Sequence, residues 1–252
     1  MIEVRGLSKR FGRTQVLTDI NAVFQKGKVN QVIGKSGSGK SVLCKCIVGL
    51  FEPEEGEVLY DGRSFHNLEL EQKRQVRQEI GMLFQSSALF DSLTVLENVL
   101  FPLRMFGTMD EAGMLDRAHL CLKRVNIEGK DRLFPSEISG GMQKRVGIAR
   151  AIAMNPRYLF VDEPNSGLDP QTSILIDNLI DELTAEYDMT TIMITHDMNS
   201  VMEAGDNILF IHEGRAWWKG SREELLRSDN KELNDFIFAS GLMRKVKDAM
   251  KR

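Results

Sequence analysis

The alternation of apolar and polar positions divides the chain into stretches of different character. Up to residue 84, short apolar runs alternate with turns. IEVRGL (2–7) and INAVF (20–24) alternate or run apolar, as strands do, and a QKGK turn separates the second from VNQVIG (29–34). SVLCKCIVGL (41–50) predicts a helix, EVLYDG (57–62) a strand closed by an Asp-Gly turn, Glu69–Glu79 a polar helix and IGMLF (80–84) a short buried strand. From Gln85 to Glu137 the rhythm is helical throughout. LTVLENVLFPLRMF and EAGMLDRAHLCLKRVNI follow one another with no strand between, and Pro102 predicts a kink or an end in the first. Strands then return. GMQKRVGIARAIAM reads as a helix, YLFVDE (158–163) as a buried strand, and PQTSILIDNLIDELTAEY (170–187) as a helix with Ile176, Ile180, Leu183 and Tyr187 on one face. TTIMIT (190–195) is the next buried strand, and NILFIHEG with RAWWKG predicts a hairpin turning at Glu213-Gly214.

The pattern predicts an α/β core over 1–84 and 146–220 with a mainly parallel sheet, an all-helical insert over 85–145 and a helical tail over 221–252. Residues Leu233, Phe236 and Ile237 form an apolar stripe in that tail. It either folds back on its own core or packs on a second copy, and the second is the expectation here, because a stripe beyond the last core strand needs cover. The basic end, RKVKDAMKR, reads as a solvated face or a contact with anionic lipid headgroups. Trp217 and Trp218 are adjacent in a strand, so one points outward with no evident reason.

Composition narrows the function. The 252 residues are 42% hydrophobic and 27% charged, an ordinary globular balance. The formal charge of −3 lacks the basic excess of a nucleic-acid binder, so no nucleic-acid partner is expected. Cys44, Cys46 and Cys121 are odd in number and widely spaced, which predicts small buried residues rather than disulfides or a metal site. No apolar run reaches 18 residues and the N-terminus does not read as a signal peptide, which places the expected chain in the cytoplasm.

Two motifs carry the chemistry. Gly34, Lys35, Ser36, Gly37, Ser38, Gly39, Lys40 and Ser41 spell GxxxxGK[ST] between a predicted strand and a predicted helix. Small residues there let backbone N–H groups curl around phosphate oxygens, and the helix adds its positive end. Lys40 is expected to reach the β- and γ-phosphates and the Ser41 hydroxyl to ligate Mg²⁺. The strand YLFVDE presents two carboxylates at its end. Asp162 is expected in the Mg²⁺ shell, and Glu163 can orient the attacking water and take its proton. An ordinary strand cap would read the same way without the phosphate loop.

Ser139–Gln143, SGGMQ, followed by KRVGIARAIAMNP, resembles the signature of ABC ATPases. The likeness spans nearly the whole chain and keeps the motif order. It departs at Ile138, where Leu is usual, and at Met142, where Gln is usual and Gln143 stands one place later. The resemblance implies a P-loop (RecA-like) core with an N-terminal antiparallel β-subdomain and the inserted helical subdomain. It implies an adenine-stacking role for Phe11, a Mg²⁺- and water-sensing Q-loop glutamine in Gln85 that links core to insert, and a switch histidine in His196. It also implies a D-loop ending at Asp169, which before Pro170 can equally cap a helix. Two copies would face head to tail as a homodimer, each ATP lying between the phosphate loop of one and Ser139, Gly140, Gly141 and Gln143 of the other.

The branch is read from Val42, where Thr is common, with FQSSALFDSLTVLENVLFPL (84–103) and SGGMQKRVGIARA. These look like the ATPases of Mla/MCE-type bacterial phospholipid transport. The resemblance implies a separate membrane permease of the MlaE type docking on the helical subdomain, and beyond it a periplasmic MCE-type lipid-binding protein. The chain would then sit peripherally on the cytoplasmic face of the inner membrane. Other transport systems, a cell-division complex and a soluble ABC ATPase are the competing expectations.

Overall fold

The computed structural model describes residues 1–204 and 206–238. In chain order its elements are β1 (Ile2–Phe11), β2 (Thr14–Phe24), β3 (Lys28–Ile33), α1 (Lys40–Ile47), β4 (Glu55–Tyr60), β5 (Arg63–Ser64), α2 (Leu70–Gln78) and β6 (Ile80–Leu83). Then come α3 (Val95–Phe106), α4 (Glu111–Arg124), α5 (Gly140–Ile152), β7 (Tyr158–Asp162), α6 (Pro170–Glu186) and β8 (Thr190–Ile194). The last are α7 (Met198–Ala204), β9 (Asn207–His212), β10 (Arg215–Gly220), α8 (Arg222–Arg227) and α9 (Lys231–Ile237). They fall into two compact units. One comprises Met1–Gln25, Val29–Asn67 and the described residues from Ile194 onward; the other comprises Lys26–Lys28 and Leu68–Met193.

In the first unit β2, β1, β4 and β5 form an antiparallel sheet. Ile2, Val4 and Leu7 are buried from β1, and Leu17, Ile20, Ala22 and Phe24 from β2. The β2 set changes phase by one residue between Leu17 and Ile20, where Asp19 adopts φ +48° and the register shifts. The Asp61-Gly62 and Glu213-Gly214 turns have positive φ at both residues, the geometry that two-residue hairpins prefer. β9 lies between β3, to which it is parallel, and β10, to which it is antiparallel.

The tail corrects an expectation. Leu233 and Ile237 are buried in one cluster with Ile33, Val201, Ile208, Phe210 and Leu225, and Phe236 stacks on Phe210 at 5.4 Å. The stripe is therefore covered by its own unit, not by a second copy, because the β9 face beneath it is itself apolar. The outward tryptophan also finds partners. Trp217 Nε1 donates to Glu232 at 3.2 Å, and its ring meets His212 edge-on. The basic end from Gly241 lies outside the described residues.

In the second unit β6, β7 and β8 provide the strands, β6 and β7 in parallel register, and α2 through α6 the helices. α3 begins at a capping box of Thr94 and Glu97. It continues through Pro102 to Phe106, so the proline does not end it. The missing N–H deprives only the Asn98 carbonyl, while Leu100 and Leu103 are buried on either side of the proline. All three cysteines are buried and none is in a disulfide; burial raises the Cys46 and Cys121 thiols to about 11. Among the described residues no helix is long and apolar enough to cross a membrane.

Candidate functional site

The phosphate loop lies in the first unit, between β3 and α1. Gly34 has φ +150°, and a Cβ there would stand 2.3 Å from the Ile211 carbonyl oxygen and 2.7 Å from Ser38 Oγ. Gly39 has φ +107°, and its Cβ would stand 2.7 Å from Leu17. Only glycine permits this curl. Gly37, at φ +78°, has open space where a Cβ would be. α1 starts at Lys40 with no side-chain cap, so its first-turn N–H groups keep their positive end uncovered. Ser38 Oγ is buried with no hydrogen-bond partner. Lys40 is buried and its Nζ donates to the carbonyls of Gly34 at 2.8 Å and Lys35 at 3.1 Å. Lys35, Ser36 and Ser41 are exposed and Val42 is half-buried. An uncapped helix end, an orphaned hydroxyl and a lysine that can turn outward from its own loop together fit a polyphosphate.

Two other expected residues share this unit. Phe11 is 44% exposed at the end of β1, with the Phe51 ring edge-on at 5.2 Å and Lys9 Nζ 5.2 Å from its own ring centre. His196 is exposed. The residue before it donates its backbone N–H to the Val32 carbonyl at 3.3 Å, which anchors it to the strand that feeds the phosphate loop. Asp197, next along, accepts from Asn199 N–H at 2.9 Å at the start of α7.

The second unit gathers Gln85, Asp162, Glu163 and Ser166. β7 buries Tyr158 through Val161, so its end must deliver Asp162 and Glu163 to the surface of the unit, where both are half-buried. Glu163 has φ +48°, an unusual backbone for a residue with a Cβ. Gln85 is exposed, and its Nε2 donates to Ser166 Oγ at 3.3 Å. Lys144, a residue the motif reading passed over, is 5% exposed on α5 and donates from Nζ to the carbonyls of Gln85 and, at 3.4 Å, of Glu163. Burial lowers its pKa, and the nearby Asp162 and Glu163 charges pull it back up. Helical spacing held the clue, since Lys144 falls on the face of α5 that buries Gly141, Ile148 and Ala151. Arg150, on the same helix, donates to the Ser87 and Ala88 carbonyls at 2.7 Å each.

Ser139 caps α5, accepting from Met142 N–H at 3.3 Å, and is exposed with Gly140 beside it. Gly141 is buried, and a Cβ there would stand 2.7 Å from Thr172. Gln143 points back into its own unit and donates to the Pro135 carbonyl at 2.9 Å. Asp169 caps α6 as Pro170 leads the alternative to expect. The Thr172 hydroxyl, then the Thr172 N–H, hold its carboxyl below the usual range.

Within the second unit a cavity of about 980 Å³ lies beside the helical insert, which lines it with Phe90, Phe101 and Phe106; Arg74, Phe84 and Arg150 line it from outside the insert. Asn98 closes the loop that carries Phe90. It is fully buried, accepts from Phe90 N–H at 2.8 Å, and donates to the Phe90, Leu93 and Thr94 carbonyls.

Comparison with known proteins agrees on the family and not on the cargo. The family model described as ABC transporter matches residues 17–166. A probable ribonucleotide transport ATP-binding protein of Mycobacterium leprae is 37% identical over 94% of this chain, which spans 68% of that protein's length. The intermembrane phospholipid transport ATP-binding protein MlaF of Haemophilus influenzae is 35% identical over 94% of this chain and 90% of its own. The methionine import ATP-binding protein MetN of Campylobacter jejuni is 33% identical over 96% and 77%. Among solved structures, the dimeric ATP-binding cassette MJ0796 in a post-hydrolysis state with ADP and Pi superposes with a TM-score of 0.79 at 33% identity, covering 88% of this chain and 99% of that one. CbiO1 of Clostridium perfringens gives a TM-score of 0.84 at 29% identity, covering 100% and 98%.

Proposed function

This chain belongs to the ABC transporter family and is an ATP-hydrolysing transporter subunit with the P-loop fold; from that premise we propose that it works as a homodimer driving phospholipid transport through a separate membrane permease. The carrying observation for nucleotide is the glycine-built cradle at the uncapped start of α1. Gly34 through Ser41 and Val42 hold the phosphates, Lys40 turns from the Gly34 and Lys35 carbonyls to the β- and γ-phosphates, and Phe11 offers its exposed face to adenine. In the second unit Gln85 orients water and Glu163 accepts its proton as the water oxygen attacks the γ-phosphorus. The bond from that phosphorus to the β–γ bridging oxygen breaks, and ADP leaves. His196 steadies the γ-phosphate.

Ser41, Gln85 and Asp162 are the proposed Mg²⁺ ligands, directly or through water. Their oxygens suit a hard cation, which when bound offsets phosphate charge. The exposed Ser139 and Gly140 at the start of α5, supported by Gly141 and by Gln143's hold on its own turn, meet the nucleotide of the partner copy. Asp169 speaks across the same interface.

The apolar cavity beside the helical insert receives a short helix of the permease. Similarity to MlaF, together with the Val42 and FQSSALF features, supports a lipid cargo, an MlaE-type permease, a periplasmic MCE-type partner and a place at the inner membrane. Similarity to MetN favours a second reading, in which the same engine drives amino-acid import. Purifying the chain with its membrane partner decides between them. A lipid permease supports the first, an amino-acid permease the second, and recovery with no membrane protein contradicts both.

A further inference from the structure

Resting on the roles proposed for Gln85 and Glu163, we propose that Lys144 is a positioning residue for hydrolysis, its ammonium tying the backbone of the water-orienting glutamine to that of the proton-accepting glutamate.

The observation is a closed ring of hydrogen bonds inside the second unit. Lys144 Nζ donates to the Gln85 carbonyl and to the Glu163 carbonyl. Gln85 Nε2 donates to Ser166 Oγ, and Ser166 N–H returns to the Glu163 carbonyl at 3.2 Å. Four residues from three distant parts of the sequence are thereby closed on one another. Glu163 needs such a hold, because its backbone sits at φ +48°, where a side chain is disfavoured unless the surroundings impose it. A buried ammonium suits the task. It has three donors and no acceptor, and the charges of Asp162 and Glu163 offset its desolvation. A neutral donor of shorter reach could not span both carbonyls.

The ring also explains how one helix can serve two purposes. α5 opens at Ser139, the residue proposed to meet the partner's nucleotide, and carries Lys144 on Gln85 and Arg150 on Ser87 and Ala88. A displacement of Ser139 therefore moves the backbone of the water-orienting loop and the seat of Glu163 together. Lys144 reaches both through main-chain carbonyls, which makes it a positioning group rather than a reacting one.

The test compares the full chain with Lys144→Met, Lys144→Arg and Glu163→Gln in steady-state ATP hydrolysis, with thermal midpoints. Loss of a buried charge-assisted tie lowers kcat ~tenfold or more. Lys144→Met is expected to do this with the KM for ATP within ~twofold of parental, because the phosphate loop is untouched. Lys144→Arg restores at least ~half of kcat, since a guanidinium also spans two carbonyls. Parental kcat in Lys144→Met, a KM that rises in step with the loss, or an Arg variant no better than Met overturns the proposal. If the Met variant does not fold, Lys144→Gln replaces it under the same criteria. Glu163→Gln separates the levels. Parental turnover there contradicts the proposed role of Glu163 itself, whereas an inactive Glu163→Gln beside a fully active Lys144→Met contradicts only the role of Lys144.

Discussion

The phosphate loop and the Gln85–Glu163 ring are built by opposite means. The loop is made of backbone. Its shape follows from Gly34 and Gly39, whose positive φ and close neighbours exclude a Cβ, and from a helix that starts without a cap. The ring is made of side chains reaching across the fold, with one buried cation joining a segment after β6 to a segment after β7. A backbone site tolerates no side chain at Gly34 or Gly39 but needs little from elsewhere. A side-chain site tolerates a conservative exchange but depends on residues far away in sequence. Binding and catalysis should therefore fail separately.

The largest effect is expected at the loop. Lys40→Ala removes the only buried lysine described in it, and hydrolysis should fall by ~100-fold or more, with much weaker ATP binding measured by calorimetry. Normal turnover would erase the contrast, because the cradle would then not be the binding element. Gly34→Ala is next. A Cβ 2.3 Å from the Ile211 carbonyl forces backbone movement at a strained φ, so a loss of ~2–4 kcal/mol of stability in denaturant titration is expected, along with lost nucleotide affinity. A stable Gly34→Ala that binds ATP normally would break the backbone-built half of the comparison.

The smallest effect on the isolated chain tests a third region. Phe106 is 53% exposed and lines the cavity beside the helical insert. Phe106→Asp should leave basal hydrolysis within ~twofold, because it touches neither loop nor ring, while abolishing co-purification of the membrane partner. Retained co-purification contradicts docking at that cavity, and loss of folding assigns Phe106 to packing.

The same contrast explains what the sequence discloses. Local rules place the phosphate loop, the Asp61-Gly62 and Glu213-Gly214 turns, the all-helical insert and the buried faces of β7 and α6. Each depends on residues within one or two turns of chain. Long-range ties are harder to see. Lys144 stands in a run that reads KRVG, and only its helical spacing with Gly141 and Ile148 marks it as buried; nothing local names Gln85 or Glu163 as its partners. Asn98 is hidden for the same reason, since a polar residue within an apolar helix does not announce the loop it closes. The phase change at Asp19 is invisible because a bulge is set by the neighbouring strand. For the stripe of α9 the sequence shows a need for cover, which points to a second copy, but not the apolar β9 face that meets it. Pro102 runs through its helix for the related reason that buried neighbours outweigh one missing N–H.

The site of action of the Ser139 turn decides whether two copies share each nucleotide. A structure of Glu163→Gln with ATP and Mg²⁺ tests this directly. The result expected is a dimer in which each γ-phosphate is gripped by Lys40 of one copy and touched by the Ser139 hydroxyl of the other. A triphosphate wholly enclosed by one chain, with Ser139 of the second copy turned away, would contradict it.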